Sequence, residues 1–379
     1  MDLKRFSTRR TPFYTYDSAL LRQTLSAIRA ATADTPHFHV HYAVKACATP
    51  GVLRIISESG LGADCVSGGE IERAADCGFS PSDIVFAGVG KSDREIEIAL
   101  ELGICCFNVE SLPELEVINA LASARGKIAN VAFRINPNVD AHTHAKITTG
   151  LNENKFGLAM EDMIPAIHRA QELPAVRYVG LHFHIGSQIT DLEPFEQLAQ
   201  RVNELQNRLD AAGIKTESIN IGGGLGVDYT QPEANPIPDF DSYFRIFKDH
   251  LQLRDGQQVH FELGRSVVAQ CGALISRVLY VKHGHKKDFV IVDAGMSDLL
   301  RPALYGSAHQ ARNLSHPEAP SARFDIVGPI CESSDVFLSD YTLPSPQRGD
   351  LIAFKSAGAY GEIMASGYNC RQLPESWID

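Results

Sequence analysis

HVHYAVKACATPGVLRIISESGLGADCVSGGEIERAADCGFSPSDIVFAG, residues 39–88, holds short apolar runs separated by stretches whose apolar residues recur every three to four positions. The runs are strand candidates, and the spacing between them is that of amphipathic helices. Reading outward, further runs follow at CFNVES (106–111), VAFRINP (131–137), VGLHFHIGS (179–187), SINIGGGL (218–225) and VHFELGR (259–265). Helical patterns lie between most of them, including SDREIEIALELG (92–103), LPELEVINALASARG (112–126), EDMIPAIHRAQEL (161–173) and LEPFEQLAQRVNELQNRLDAAG (192–213). Eight strand candidates in roughly 230 residues fit a closed parallel barrel better than an open doubly wound sheet. The fold class is therefore α/β, with a (β/α)8 TIM-like barrel over residues 31–266.

Past residue 266 the pattern changes. GALISRVLYVKH (272–283), KDFVIVDAG (287–295), RFDIVGPI (323–330) and DLIAFKSAGAY (350–360) are broken by Gly, Pro and Asp without a long helix between them. That reads as a C-terminal β domain over residues 267–379. The whole chain has 379 residues, 44% hydrophobic and 21% charged, so two globular domains are expected. A net charge of -11 opposes nucleic-acid or anionic-membrane partners, which leaves small-molecule chemistry. The N-terminus lacks an apolar signal-peptide core and no apolar run is long enough to span a bilayer, so a cytoplasmic location is expected. The eight scattered cysteines are then thiols, and no CxxC pair argues for zinc.

Chemistry in a parallel barrel sits where strands end and loops begin. Lys45, Asp64, Arg134, His184, Ser187, Gly222, Gly223, Gly224, Glu262 and Arg265 all fall in or near such positions. Burial in HYAVKA would lower the Lys45 pKa and favour the neutral amine that attaches a carbonyl cofactor covalently; a lysine snorkelling from a strand end is the plain alternative. The IGGGLG run (221–226) exposes backbone N–H groups without side-chain obstruction. With Ser187 and Arg265 it makes a phosphate cradle. Glu262 could pair with a protonated ring nitrogen, the arrangement that makes pyridoxal an electron sink, or form a buried salt bridge to Arg134 or Arg265. His182 and His184 have a spacing that can ligate zinc, but further ligands are missing, so no metal is expected. A flat imidazole stacked on a cofactor ring is the better use of His184. The clusters HTHAK (142–146) and HGHKK (283–287) read as loops.

HYAVKAC, GADCVSGGE, NENKFG, HFHIGSQ, NIGGGLG, ELGR, RPALYG, GPICESSD, GAYG and MASGYN occur in this order along nearly the whole chain. Together they resemble the fold-type III pyridoxal-phosphate decarboxylases with an alanine-racemase-like barrel, and among them the branch acting on diaminopimelate. The resemblance implies pyridoxal 5'-phosphate as cofactor and decarboxylation of meso-2,6-diaminopimelate to L-lysine and carbon dioxide. A sibling activity on carboxynorspermidine, ornithine or arginine is the alternative. It implies that Lys45 carries the cofactor with Asp64 beside it, that His184 stacks on its ring and that Glu262 holds its nitrogen. Ser187, Gly222, Gly223, Gly224, Arg265 and Tyr360 would surround the phosphate. Arg265, Arg301, Tyr305, Glu332 and Tyr360 would bind substrate, with Arg301 and Tyr305 at its distal carboxylate. It further implies a homodimer with shared active sites, to which the partner contributes Cys331 as proton donor and Glu332. Residues 1–30 would join the β domain and complete its β-sandwich or β-barrel. At residues 262–265 the usual Glu-Pro-Gly-Arg of these enzymes is Glu-Leu-Gly-Arg.

Overall fold

The computed structural model describes residues 3–140 and 155–379; the HTHAK cluster and the start of NENKFG lie outside them. The chain divides into two compact units, one of residues 25–226 with 239–264 and the other of residues 1–24, 227–238 and 265–379.

The first unit is a closed barrel of eight parallel strands. They run Phe38–Ala43, Gly62–Cys65, Ile84–Phe86, Cys106–Val109, Ala129–Arg134, Val176–His182, Ser218–Asn220 and Gln258–Leu263, so each expected run overlaps one strand. The outward faces carry residues such as Tyr42, Ile84, Phe86, Phe107, Phe133, Ile219 and Phe261, all buried. Phe195, Tyr243, Phe244 and Phe247 pack edge-on around one another and against Phe261, covering the eighth strand from outside.

The inward face is unusual for such a barrel, whose interior is normally filled by Val, Ile and Leu. Its registers align His41 with Glu262, Ala43 with Asp64, Arg134 with His182, and Asn220 with both His182 and His260. Polar groups therefore alternate with small residues, and the glycines are demanded by crowding. A Cβ at Gly180 would lie 2.2 Å from the Ser218 carbonyl oxygen, and one at Gly223 would lie 1.9 Å from that of Glu262.

The second unit is built on a mixed eight-stranded sheet. Its main path runs Ala311–Asn313, Leu351–Phe354, Gly272–His283, Asp288–Val292, Ser321–Val327 and Val336–Pro344. Phe13–Tyr16 adds antiparallel to Gly272–His283 and parallel to Glu375–Ile378, so the N-terminal segment completes this sheet. Phe6, Phe13, Ala273, Ile275, Leu351 and Ala353 form a core on it. Four of these strands escape the periodicity reading, because Phe13–Tyr16, Ala311–Asn313 and Glu375–Ile378 are three or four residues long and Val336–Pro344 carries polar residues on its exposed face.

Candidate active site

Lys45 lies just past the first strand, in the short turn Val44–Ala46, with 37% of its side chain exposed. Its Nζ donates to Asp64 Oδ2 at 2.9 Å, while Asp64 is wholly buried in the second strand. The other carboxylate oxygen of Asp64 has no hydrogen-bond partner among the described residues. Burial and the nearby Glu262 charge raise the Asp64 pKa, and Lys45 offsets part of that rise.

Glu262 closes the eighth strand, six per cent exposed. Its Oε1 accepts from Asn108 Nδ2 at 3.1 Å and Asn220 Nδ2 at 2.8 Å, and its Oε2 from His182 Nε2 at 3.0 Å. Asn108 is on the fourth strand, so this bond crosses the barrel interior. Burial alone would raise the Glu262 pKa; His182, then Lys45 and His184, outweigh it and hold the carboxylate well below its usual range. An ionised carboxylate offers about four lone-pair sites. Three are used, so one can still accept a proton-bearing heterocycle nitrogen.

Glu262 therefore makes no salt bridge to Arg134. That arginine bonds Glu110 Oε1 at 3.1 Å in a buried pair, and its guanidinium lies 4.5 Å over the Phe156 ring. Glu110 also accepts from the backbone of Gly88 and Gly157 at 3.1 and 3.0 Å, which ties loops after the third and fifth strands.

His184 lies two residues beyond the sixth strand. Burial, with the charges of Arg134 and Lys45, pushes its pKa well down and keeps the ring neutral. Its Nδ1 accepts from the Gly223 N–H at 3.3 Å. The HxH pair is thus split between a carboxylate and a backbone amide, and no cluster of metal-ligating groups occurs among the described residues.

The glycine run departs in part from a simple cradle. Gly222 donates its N–H to Asn220 Oδ1 at 2.9 Å and Gly223 donates to His184, so these two amides position protein groups. Gly224 takes φ +117, and its carbonyl accepts the Ile189 N–H at 2.9 Å. Ser187 follows His184 on the neighbouring loop. Lysine beside a buried carboxylate, an ionised acceptor with one open site and a neutral flat imidazole share one electrostatic neighbourhood, and together they suit a cationic aromatic aldehyde cofactor.

In the second unit Arg265 opens the short helix Arg265–Val268 instead of ending a strand, and Arg301 opens Arg301–Tyr305. Both arginines are buried. Their guanidinium carbons lie 4.9 and 5.9 Å from the Tyr360 ring, and Arg301 is 5.4 Å from Tyr305. Tyr360 holds φ +55, a left-handed conformation costly for a tyrosine. Cys331 and Glu332 are exposed; Asn369 Oδ1 accepts from the Cys331 N–H at 3.2 Å, and the Tyr368 hydroxyl donates to Glu332 at 2.5 Å. Asn108, Asn220, Glu110 and Tyr368 lie within the quoted runs and motifs, but sequence reasoning gave them no role, because their roles arise from pairing across distant segments.

Comparison with known proteins agrees with this chemistry. Residues 21–269 match the family model described as pyridoxal-dependent decarboxylase, pyridoxal binding domain. The diaminopimelate decarboxylase of Bacteroides thetaiotaomicron is 61% identical over 375 residues, 99% of this chain and 97% of that protein. That of Pseudomonas aeruginosa is 45% identical over 95% of this chain and 86% of its own length. The crystal structure of diaminopimelate decarboxylase from Helicobacter pylori complexed with L-lysine superposes with a TM-score of 0.93 at 42% identity, covering 99% of this chain and 93% of that one. The family model takes in more than half of this chain, and the chain belongs to the pyridoxal-dependent decarboxylases, whose cofactor is pyridoxal 5'-phosphate.

Proposed function

We propose that this enzyme removes one carboxylate from meso-2,6-diaminopimelate to give L-lysine and carbon dioxide, the last step of lysine synthesis. The observation that carries the substrate is the buried Arg301. Its Nε has no hydrogen-bond partner among the described residues, and tyrosine rings and Ser307 surround it. A buried cation of this kind suits a substrate ending in a carboxylate. Ornithine and arginine end in cations, which it would repel.

When bound, pyridoxal phosphate supplies an electron sink for the electron pair left by the departing carbon dioxide. Lys45 would hold that cofactor covalently, with Asp64 accepting from its Nζ. Glu262, kept ionised by His182, Asn108 and Asn220, would hold the ring nitrogen protonated, and the neutral His184 would lie flat on the ring. Gly224, Ser187, Arg265 and Tyr360, together with the crowded Gly222 and Gly223, would surround the phosphate. Arg265, Arg301, Tyr305 and Tyr360 would orient the substrate. Its partner is this amino acid, and the chain would act in the cytoplasm as a homodimer. Cys331 of one copy would deliver a proton to the substrate in the other, and Glu332 would receive an ammonium group. The exposure of both side chains supports that reading.

The test is carbon dioxide release from meso-diaminopimelate by purified enzyme carrying the cofactor. Wild-type protein should release it and give L-lysine, and Lys45→Ala should fall by at least about a thousandfold. Turnover of ornithine in preference to diaminopimelate would overturn the substrate.

A further inference from the structure

Residues 227–238 interrupt the barrel sequence and belong to the other compact unit. Asp228 organises this segment. Its carboxylate accepts from the Thr230 backbone at 2.8 Å, the Thr230 hydroxyl at 2.7 Å, the Gln231 backbone at 2.9 Å and Asn235 Nδ2 at 2.9 Å. Gln270 Nε2 donates to the carbonyls of Asn235 and Asp228 at 2.7 and 3.3 Å, and Glu233 pairs with Arg312. The one aromatic residue of the segment, Tyr229, is therefore fixed from both sides.

Tyr229 touches both buried arginines. Its hydroxyl oxygen accepts from Arg265 Nη1 at 2.8 Å, and its ring lies 5.8 Å from the Arg301 guanidinium carbon. His309 packs edge-on against the same ring, with centroids 5.3 Å apart. The Nδ1 of that histidine bonds the Lys355 carbonyl at 3.0 Å, so Nδ1 carries the proton. Burial, then the charges of Arg301 and Arg265, lower its pKa to about 4 and leave it neutral. The surroundings thus hold two positive charges and a neutral imidazole. The Tyr229 oxygen accepts from Arg265, and its own O–H proton has no acceptor among the described residues. A hydroxyl that accepts from one group can still donate to another.

We propose that Tyr229 is a specificity-determining residue for the carboxylate that the substrate keeps. Its oxygen holds the Arg265 guanidinium in place, and its O–H joins Arg265 and Arg301 as a further donor to that carboxylate. The assignment rests on the proposed function for the identity of the ligand.

L-lysine and 1,5-diaminopentane differ by that one carboxylate, so their dissociation constants from the holoenzyme isolate the contact. Tyr229→Phe keeps the ring and removes the hydroxyl. It should weaken L-lysine roughly tenfold, as for a lost hydrogen bond to a charged group, while diaminopentane changes little. KM for diaminopimelate should rise by a similar factor, with kcat changed much less. Tyr229→Leu, which also removes the ring beside Arg301, should weaken L-lysine further. Equal weakening of both ligands, or an unchanged lysine constant in Tyr229→Phe, would overturn the assignment. If wild-type enzyme released no carbon dioxide from diaminopimelate, the functional reading would fall, and the difference between the two amines would still judge Tyr229.

Discussion

Two carboxylates in the barrel interior are driven in opposite directions: Asp64 up by burial and by Glu262, and Glu262 down by His182 against its own burial. A third, Glu70, stands close by. Its Oε2 accepts the Val66 N–H at 2.8 Å, while its own N–H donates to the Ser67 cap of the helix Gly68–Asp76. Burial pushes its pKa to about 7. A carboxyl group with a raised folded-state pKa stabilises the fold below its unfolded value near 4.5, and that contribution is lost as pH rises through about 7. Glu70→Gln keeps the acceptor without the charge. Its melting temperature should exceed that of wild type at pH ~8 and match it at pH ~5; a gain only at the acid end would contradict the assignment. Lys45, His184 and Glu262 were legible in the sequence because ionisable residues stand out in or just beyond apolar strands. Asn108 and Asn220 were not, since an amide on a strand says nothing of a carboxylate on another strand more than 40 residues away in the chain.

Among the elements, the eight barrel strands were legible because short apolar runs alternated with helical spacing over a long stretch. Their inner face was less so, since polar and small residues there dilute the apolar signal. The glycine run shows the difference between composition and geometry. IGGGLG suggested open amides, yet Gly223 sits where the seventh and eighth strands meet. There Ile221 N–H donates to the His260 carbonyl and Glu262 N–H to the Gly222 carbonyl, both at 2.8 Å. A methyl at Gly223 would collide with backbone, which cannot rotate away as a side chain can. Gly223→Ala should cost about 1–3 kcal/mol or more of stability and displace Glu262, so kcat falls together with melting temperature. Gly90, where an added Cβ meets nothing within 4 Å, should tolerate Ala in the same assays. Equal melting temperatures for the two variants would show that the strands separate easily.

At the level of the whole molecule, the β domain was legible from a change of pattern, but not the excursion of residues 227–238 into the second unit. That polar segment has no periodicity, and its placement rests on bonds from Gln270 and a pair with Arg312, residues far along the chain. The second unit also exposes Cys331 and Glu332, held by Asn369 and Tyr368. If these act across a homodimer, each active site combines Lys45 of one copy with Cys331 of the other. Mixing defective enzymes then separates the two arrangements. In a hybrid of Lys45→Ala with Cys331→Ala, one shared site carries both defects and the other carries neither. Random pairing of equal amounts makes about half the dimers hybrid, each with one intact site, so about a quarter of wild-type activity should return. Sites built from a single copy would each keep one defect in every pairing, and the mixture would stay as inactive as its parents. Recovery measured after dissociation and reassociation, against each variant treated alone, decides between them.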